Sequence, residues 1–203
     1  MSMTRREKAA KEEIMRRLKK EGYVTYAKLL SNFDVNLTTN PKFIGYIDLK
    51  TGTMVLNEGL DIDQVSVIVR HEILHEYLEH IRRLLAHLAQ KEGLDFDELD
   101  DIKVKELYHN LLSNKAFNYA GDYEISNLGY TDEDKEVVRN IQLNGETLSG
   151  LVTEDEHPDW VNLSVEELYD KIMEMEPPKI DNVFGALKDP TTFVGVDGVV
   201  YGA

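Results

Sequence analysis

The run VIVRHEILHEYLEHIRR, residues 67–83, constrains the fold of this chain more than any other segment. It contains neither glycine nor proline, and its composition predicts one long helix over residues 64–90. His71 and His75 stand four positions apart in it. On a helix they project from nearly the same face, about 40° apart. The run therefore predicts a helix that presents a pair of imidazoles to a single point.

The same run has the pattern His-Glu-x-x-His, which is typical of a zinc-hydrolase helix. His71 and His75 would bind the ion through neutral ring nitrogens, and Glu72, turned by about 100°, would reach past them to a metal-bound water. Zinc lowers the pKa of that water from about 16 towards 7, and the carboxylate can take its proton as the water attacks a carbonyl. The alternative is an amphipathic helix with two solvent-facing histidines and no metal. The position of the motif inside a long predicted helix, just after a β-hairpin, favours zinc.

A catalytic zinc ion commonly has three protein ligands, and the sequence offers two candidates for the third. His80 extends the motif to HEILHEYLEH, but on a regular helix it would lie about 140° round from His75. Residues 76–85 contain no glycine that would break the helix. Without a break, His80 would pair with a carboxylate or lie at the surface beside the arginines that follow.

The other candidate is Asp122, in the segment FNYAGDYEISN, residues 117–127. A second long helix is predicted over residues 104–127, and on it Asn118 shares the face of Asp122, whereas Glu124 points elsewhere. From a helix packed across the first one, Asp122 could bind the metal or orient a zinc-bound histidine by accepting its ring N–H. Both roles remain open from the sequence.

HEILHEYLEHIRR followed by FNYAGDYEISN resembles a metallopeptidase-domain family of bacterial and phage proteins that often carry a C-terminal von Willebrand A-like domain. The family pairs an HExxH helix with a helix of the pattern aromatic-Asn-x-Ala-x-Asp-Tyr-x-Ile-Asn, and the stretch LSVEELYDKI is similar as well. The residues that match the second helix are Phe117, Asn118, Ala120, Asp122, Tyr123 and Ile125. Ser126 stands where the family has asparagine.

The resemblance covers roughly residues 43–173 and implies a zincin-like fold with zinc bound by His71 and His75. It also implies that Glu72 is the general base and that Asp122 is a ligand or orients one. The chain departs from the family because no von Willebrand A-like domain fits after residue 176. A short form of this kind is what we expect of a phage-encoded member.

The remaining segments predict a small α+β, mainly helical domain: a zincin-like metallopeptidase domain with a small β-hairpin or sheet. Further helices are predicted over residues 4–21, 25–32, 132–140 and 164–175. Two β-prone runs within residues 43–57 predict a hairpin around Lys50-Thr51-Gly52. The predicted division of the chain is a basic N-terminal helix, the zincin-like domain and a C-terminal tail, at residues 1–22, 23–176 and 177–203.

Composition narrows the partners and the metal chemistry. The chain has no cysteine, so any metal must be bound by His, Asp or Glu. The net charge of −15 argues against nucleic acid as the main partner. Residues 1–20, however, carry eight basic and three acidic residues. They are either a solvated helix with i,i+4 ion pairs or an arm for an acidic partner.

Two functions follow from these observations. The first is a zinc-dependent peptidase that acts on an extended polypeptide, with Glu72 as general base. The second is a non-catalytic assembly protein, for example in a phage particle, that keeps Zn²⁺ as a structural element and contacts partners through residues 1–20 or 177–203. The chain has no run of transmembrane length and no signal peptide, which predicts a cytoplasmic protein, or one in the host cytoplasm or virion if phage-encoded.

Aromatic residues around the motifs form a further set of candidates. One tyrosine could donate a hydrogen bond to the oxyanion of a tetrahedral intermediate, and the alternative is that each packs its ring and keeps its hydroxyl at the surface. The candidates are Tyr77, Tyr119, Tyr123 and Tyr130. Trp160 is expected to anchor the loop before it onto the core.

Overall fold

A computed structural model describes residues 3–40, 44–48, 51–112, 116–143, 146–147, 152–175, 193–194 and 200–201. Lys50 of the predicted hairpin loop lies outside these segments, as does most of the predicted tail. Two helices begin the described chain, α1 (Arg5–Lys20) and α2 (Val24–Leu30). The side chains of Thr4 and Glu7 form a capping box that satisfies the first turn of α1.

A three-stranded sheet follows, formed by β1 (Asp34–Thr38), β2 (Gly45–Asp48) and β3 (Thr53–Asn57). The strand order is β1-β3-β2, with β3 antiparallel to β2 and parallel to β1. The predicted hairpin is confirmed as β2 and β3. β1 was not predicted, because it pairs with a strand beyond its sequence neighbour and has no hairpin signal of its own. β2 forms one edge of the sheet.

The helix predicted over residues 64–90 is wrong in one respect, since it is two helices. α3 (Ile62–Tyr77) begins at an Asp61 capping box, and α4 (His80–Lys91) follows after a two-residue turn. Glu79 in that turn has φ 51° and ψ 40°, in the left-handed region. Left-handed backbone costs a non-glycine residue about 1–2 kcal/mol, which is why the sequence did not indicate a break here. The turn changes the direction in which His80 points.

The C-terminal half of the described chain is helical, with short strand pairs. α5 (Asp101–Leu112) and α6 (Ala116–Gly129) cover the second predicted long helix, of which residues 113–115 lie outside the description. The remaining α-helices and strands are α7 (Asp132–Arg139), β4 (Gln142–Leu143), β5 (Glu146–Thr147), α8 (Thr153–Glu156), α9 (Val165–Glu174), β6 (Phe193–Val194) and β7 (Val200–Tyr201), with short 3-10 helices at Phe96–Glu98 and Pro158–Trp160. β4 pairs with β5, and β6 pairs with β7. Ser164 and Glu167, whose spacing is that of a capping box, form one at the start of α9.

Two clusters of buried side chains hold these elements together. The sheet-side core contains residues of α1, α2, the sheet and the first part of α3, from Ile14 to Ile73, with Val138, Ile141 and Val152. The helical core contains residues of α4, α5, α6 and α9, with Trp160 buried among them as expected. The fold is thus mainly helical with a small sheet, and α3 and α6 pack across each other where the two cores meet.

The chain shows no helix, among the residues described, with the length and apolar character needed to cross a membrane.

The basic residues of α1 include some that pair with acidic residues of the same domain. Arg17 contacts Asp63 at 2.6 Å, and Arg6 contacts Glu58 at 2.6 Å. These pairs account for part of the local positive charge, while the division of the chain at residues 22 and 176 stays a prediction.

Candidate metal centre

Three side-chain atoms from α3 and α6 converge on one point. Nε2 of His71 and Nε2 of His75 are 3.0 Å apart. Oδ1 of Asp122 lies 3.2 Å from the first and 3.0 Å from the second. The predicted i,i+4 pair and the predicted carboxylate on the second helix therefore meet, and they form the one group of potential ligands found among the described residues.

The triangle fits a tetrahedral metal ion. Ligand atoms about 2.0–2.1 Å from zinc at tetrahedral angles are separated from one another by about 3.3 Å, close to the observed 3.0–3.2 Å. Two imidazoles and a carboxylate also match the chemistry of the ion, which accepts nitrogen and oxygen donors. The three residues could thus hold a metal and leave a fourth position for water or substrate.

Exposure shows from which side the triangle can be reached. The side chains of His71 and Asp122 are each 1% exposed, whereas that of His75 is 22% exposed. Glu72, the predicted base, is half-buried on the same helix. Any substrate would therefore approach past His75 and Glu72 rather than past His71.

A glycine permits α6 to approach the imidazoles so closely. A Cβ atom at Gly121 would lie 2.8 Å from Nδ1 of His80 and 3.0 Å from Cε1 of His75, closer than real Cβ contacts allow. Glycine inside a helix costs about 1 kcal/mol relative to alanine, so its presence in mid-helix is a signal of close packing that the sequence contained.

The outer nitrogen of His71 contacts the hydroxyl of Tyr130, with Nδ1 2.8 Å from Oη. Tyr130 immediately precedes the Thr131 capping box of α7, and Asp134 of that box forms a buried ion pair with Arg70. One of the two Arg70–Asp134 hydrogen bonds measures 3.0 Å. The ion pair holds the start of α7 against α3 next to His71, and this gives Tyr130 a role that the sequence had not indicated.

The outer nitrogen of His75 contacts a different set of groups. Its Nδ1 lies 2.9 Å from Nδ1 of His80, and Nε2 of His80 lies 2.9 Å from Oε2 of Glu124. Arg83 donates to both oxygens of Glu124, at 2.8 and 2.9 Å, and the backbone N–H of Val165 donates to Oε1 at 2.8 Å. His80 therefore lies behind His75, paired with a carboxylate, and outside the triangle of His71, His75 and Asp122.

Electrostatics distinguish the members of the site. Burial raises the pKa of Glu72 to about 7, with His75 lowering it and Asp122 raising it further. Burial lowers the pKa of His71, and the hydrogen bond to Asp122 only partly offsets this. For Asp122, burial would raise the pKa, but hydrogen bonds from His71 and His75 outweigh burial and lower it. Asp122 is thus ionised at neutral pH, whereas Glu72 exchanges its proton near neutral pH.

The other candidate tyrosines lie elsewhere. The hydroxyl of Tyr123 donates to Glu156 at 2.6 Å, and Tyr119 is buried in the helical core. Tyr77, at the end of α3, is 74% exposed.

Comparisons of the chain with models of protein families, with curated proteins and with solved structures returned no match.

Proposed function

We propose that this chain is a zinc-dependent peptidase of zincin-like fold. In this proposal His71, His75 and Asp122 hold the ion, and Glu72 is the general base. The observation that carries the proposal is the triangle of Nε2, Nε2 and Oδ1 atoms, 3.0–3.2 Å apart, beside a half-buried carboxylate that is not part of it. The resemblance of the two helices to a metallopeptidase-domain family supports the same function and remains a prediction.

The residues divide the chemistry between them. When bound, a zinc ion would supply a Lewis acid and lower the pKa of a water ligand from about 15.7 to about 7. Glu72 accepts the proton of the attacking water and can pass it to the leaving amine. Its pKa of about 7 lies close to the working pH, and a nearby cation would lower that value and keep the carboxylate ionised.

The sheet supports an extended polypeptide as the substrate. β2 lies at an edge of the sheet and packs directly on α3, since a Cβ atom at Gly45 would lie 2.7 Å from Cγ2 of Ile68. Ile68 precedes His71 by one helical turn. A substrate strand added to the edge of β2 would pair through its backbone and run beside the metal helix. The net charge of −15 favours basic segments slightly.

A structural zinc site is the second candidate, and one observation favours it. The ligands come from two helices that belong to different cores, so an ion would join α3 to α6 without any need for catalysis. Against it stands Glu72, because a half-buried carboxylate that binds no metal is unfavourable and serves no purpose in a purely structural site.

One set of variants tests the proposal. Metal analysis should find about one zinc ion per chain in wild-type protein, and a His71→Ala/His75→Ala double variant should lose it. Glu72→Gln should keep the zinc but lose cleavage of a peptide library, because an amide cannot accept the proton. Glu76→Gln, the same chemical change one turn along on the exposed side of α3, is the matched control and should cleave normally. Wild-type protein that binds zinc yet cleaves nothing in the library would favour the structural site.

A further inference from the structure

A chain of hydrogen-bonding groups extends from His75 into the protein. Nδ1 of His75 faces Nδ1 of His80 at 2.9 Å, and Nε2 of His80 faces Glu124 at 2.9 Å. The side chains of His80 and Glu124 are each 4% exposed, so water does not compete for these contacts. The chain ends at Arg83, which also bonds Glu166 at 2.7 and 2.9 Å.

The metal fixes the direction of every bond in this chain. If Nε2 of His75 binds an ion, its Nδ1 must carry the ring proton and act as the donor. Nδ1 of His80 must then be an acceptor, so the proton of the neutral His80 ring sits on Nε2 and is donated to Glu124. Glu124 receives further donors from Arg83 and from the N–H of Val165, so it acts as an acceptor throughout.

The backbone is arranged to bring His80 into this chain. On an unbroken helix His80 would lie about 140° round from His75, out of reach of its ring. The left-handed turn at Glu79 ends α3 and starts α4 at His80 itself, and Gly121 leaves room for both rings. Backbone strain of this kind persists where the surrounding structure requires it, which is most often at functional sites.

We propose that His80 is a positioning residue that holds His75 in the tautomer and orientation that bind the metal. The inference rests on the proposed metal-dependent function. His80 acts on the ion only through His75, and Glu124 with Arg83 fixes His80 in turn. Metal-bound histidines commonly donate their second nitrogen to a carboxylate or a backbone carbonyl; here a second imidazole stands between the ligand and the carboxylate.

Two substitutions of nearly equal size separate positioning from packing. His80→Leu fills much of the space but accepts no hydrogen bond, whereas His80→Asn keeps an acceptor oxygen close to the position of Nδ1. Zinc affinity of the full chain is measured by competition with a chromophoric chelator. We expect His80→Leu to bind zinc about 10- to 100-fold more weakly than wild type, and His80→Asn to recover most of that loss. Affinity of His80→Leu within twofold of wild type, or equal losses in both variants, overturns the proposal.

Wild-type protein provides a readout that does not depend on how the variants fold. In the zinc-loaded chain, ¹⁵N shifts of the histidine rings should show the proton of His75 on Nδ1 and that of His80 on Nε2. A proton on Nδ1 of His80 overturns the proposal. If wild-type protein binds zinc and shows the expected tautomers, and the His80 variants show the expected zinc affinities, but no peptide is cleaved, the role of His80 stands and the peptidase function is wrong. If wild-type protein binds no zinc, both the role of His80 and the peptidase function are wrong.

Discussion

His71 and His75 lie one turn apart on the same helix, but different parts of the molecule support their outer nitrogens. His71, whose side chain is 1% exposed, contacts a neutral phenol, that of Tyr130. His75, which is 22% exposed, contacts His80 and through it a carboxylate and a guanidinium. Tyr130, the support of His71, packs against the sheet-side core. His80 and Glu124, the support of His75, come from the helices α4 and α6.

The difference has a simple electrostatic reason. A second carboxylate, placed behind Nδ1 of fully buried His71 in addition to Asp122 on the Nε2 side, would need its own buried counter-charge, and desolvating such a pair costs several kcal/mol per ion. The phenol avoids this cost, and the nearby charges, Arg70 and Asp134, neutralise each other. On the His75 side Arg83 is 31% exposed, so charged groups can be used there at lower cost. Buried His71 thus has a neutral partner, whereas the more accessible His75 contacts a chain of groups that ends in charged residues.

The largest expected change in the free energy of unfolding comes from removing the arginine of the ion pairs that hold these supports, Arg70–Asp134 behind Tyr130 and Arg83–Glu124 behind His80. Arg70→Met leaves Asp134 buried without its partner and should lower the free energy of unfolding by about 3–5 kcal/mol. Arg83→Met should cost less, because the Arg83 side chain is 31% exposed against 5% for Arg70, and water can partly replace it. Urea unfolding of the metal-free variants measures both values. Equal losses would contradict the assignment of one buried and one accessible support.

A smaller effect is expected from removing the neutral support. Tyr130→Phe deletes the hydroxyl that faces Nδ1 of His71, and a neutral hydrogen bond contributes about 0.5–1.5 kcal/mol, which is about a 2- to 10-fold loss of zinc affinity. The loss should be smaller than that in His80→Leu. Tyr123→Phe is the matched control, since its hydroxyl bonds Glu156 and no ligand. A larger loss in Tyr130→Phe than in His80→Leu would reverse the comparison.

The smallest expected change in the free energy of unfolding concerns Glu79, in the turn between α3 and α4 that places His80 behind His75. Glu79→Gly should raise the free energy of unfolding by about 0.5–1 kcal/mol, because relief of left-handed strain exceeds the entropy that glycine adds to the unfolded chain. Glu79→Ala also removes the exposed contact to Arg82 but keeps the Cβ atom. It should therefore show no such gain. Thermal or urea unfolding of the pair decides the matter, and a glycine variant less stable than the alanine variant would mean that position 79 is not strained.

Elements with local signals were predictable. The capping boxes at Asp61 and Ser164, the β2–β3 hairpin and the i,i+4 geometry of His71 and His75 depend on residues within one turn or one hairpin of each other. Asp122 was predicted from its place on a second helix. It does converge with the imidazoles, across 51 residues of sequence, whereas its role toward a metal stays a prediction.

Elements that depend on distant partners were missed or wrong. β1 pairs in parallel with β3, and no residue near it in sequence indicates that pairing. The turn at Glu79 contradicted the local preference for helix, because contacts of His80 with residues of α6 outweigh the strain of one left-handed residue. Tyr130 and Gly121 gained their roles from the approach of α6 and α7 to α3, and neither role is visible in a single segment.

The sequence by itself determined that this chain has a helix with two imidazoles four positions apart and a carboxylate beside the first, because helical periodicity acts over a few residues. Tertiary structure alone decided what stands behind each imidazole. His71 and Tyr130 are separated by 59 residues, and His80 and Glu124 by 44. Such contacts form only when the fold brings α4, α6 and the start of α7 against α3, and burial in that junction is what makes a hydrogen bond to each outer nitrogen necessary.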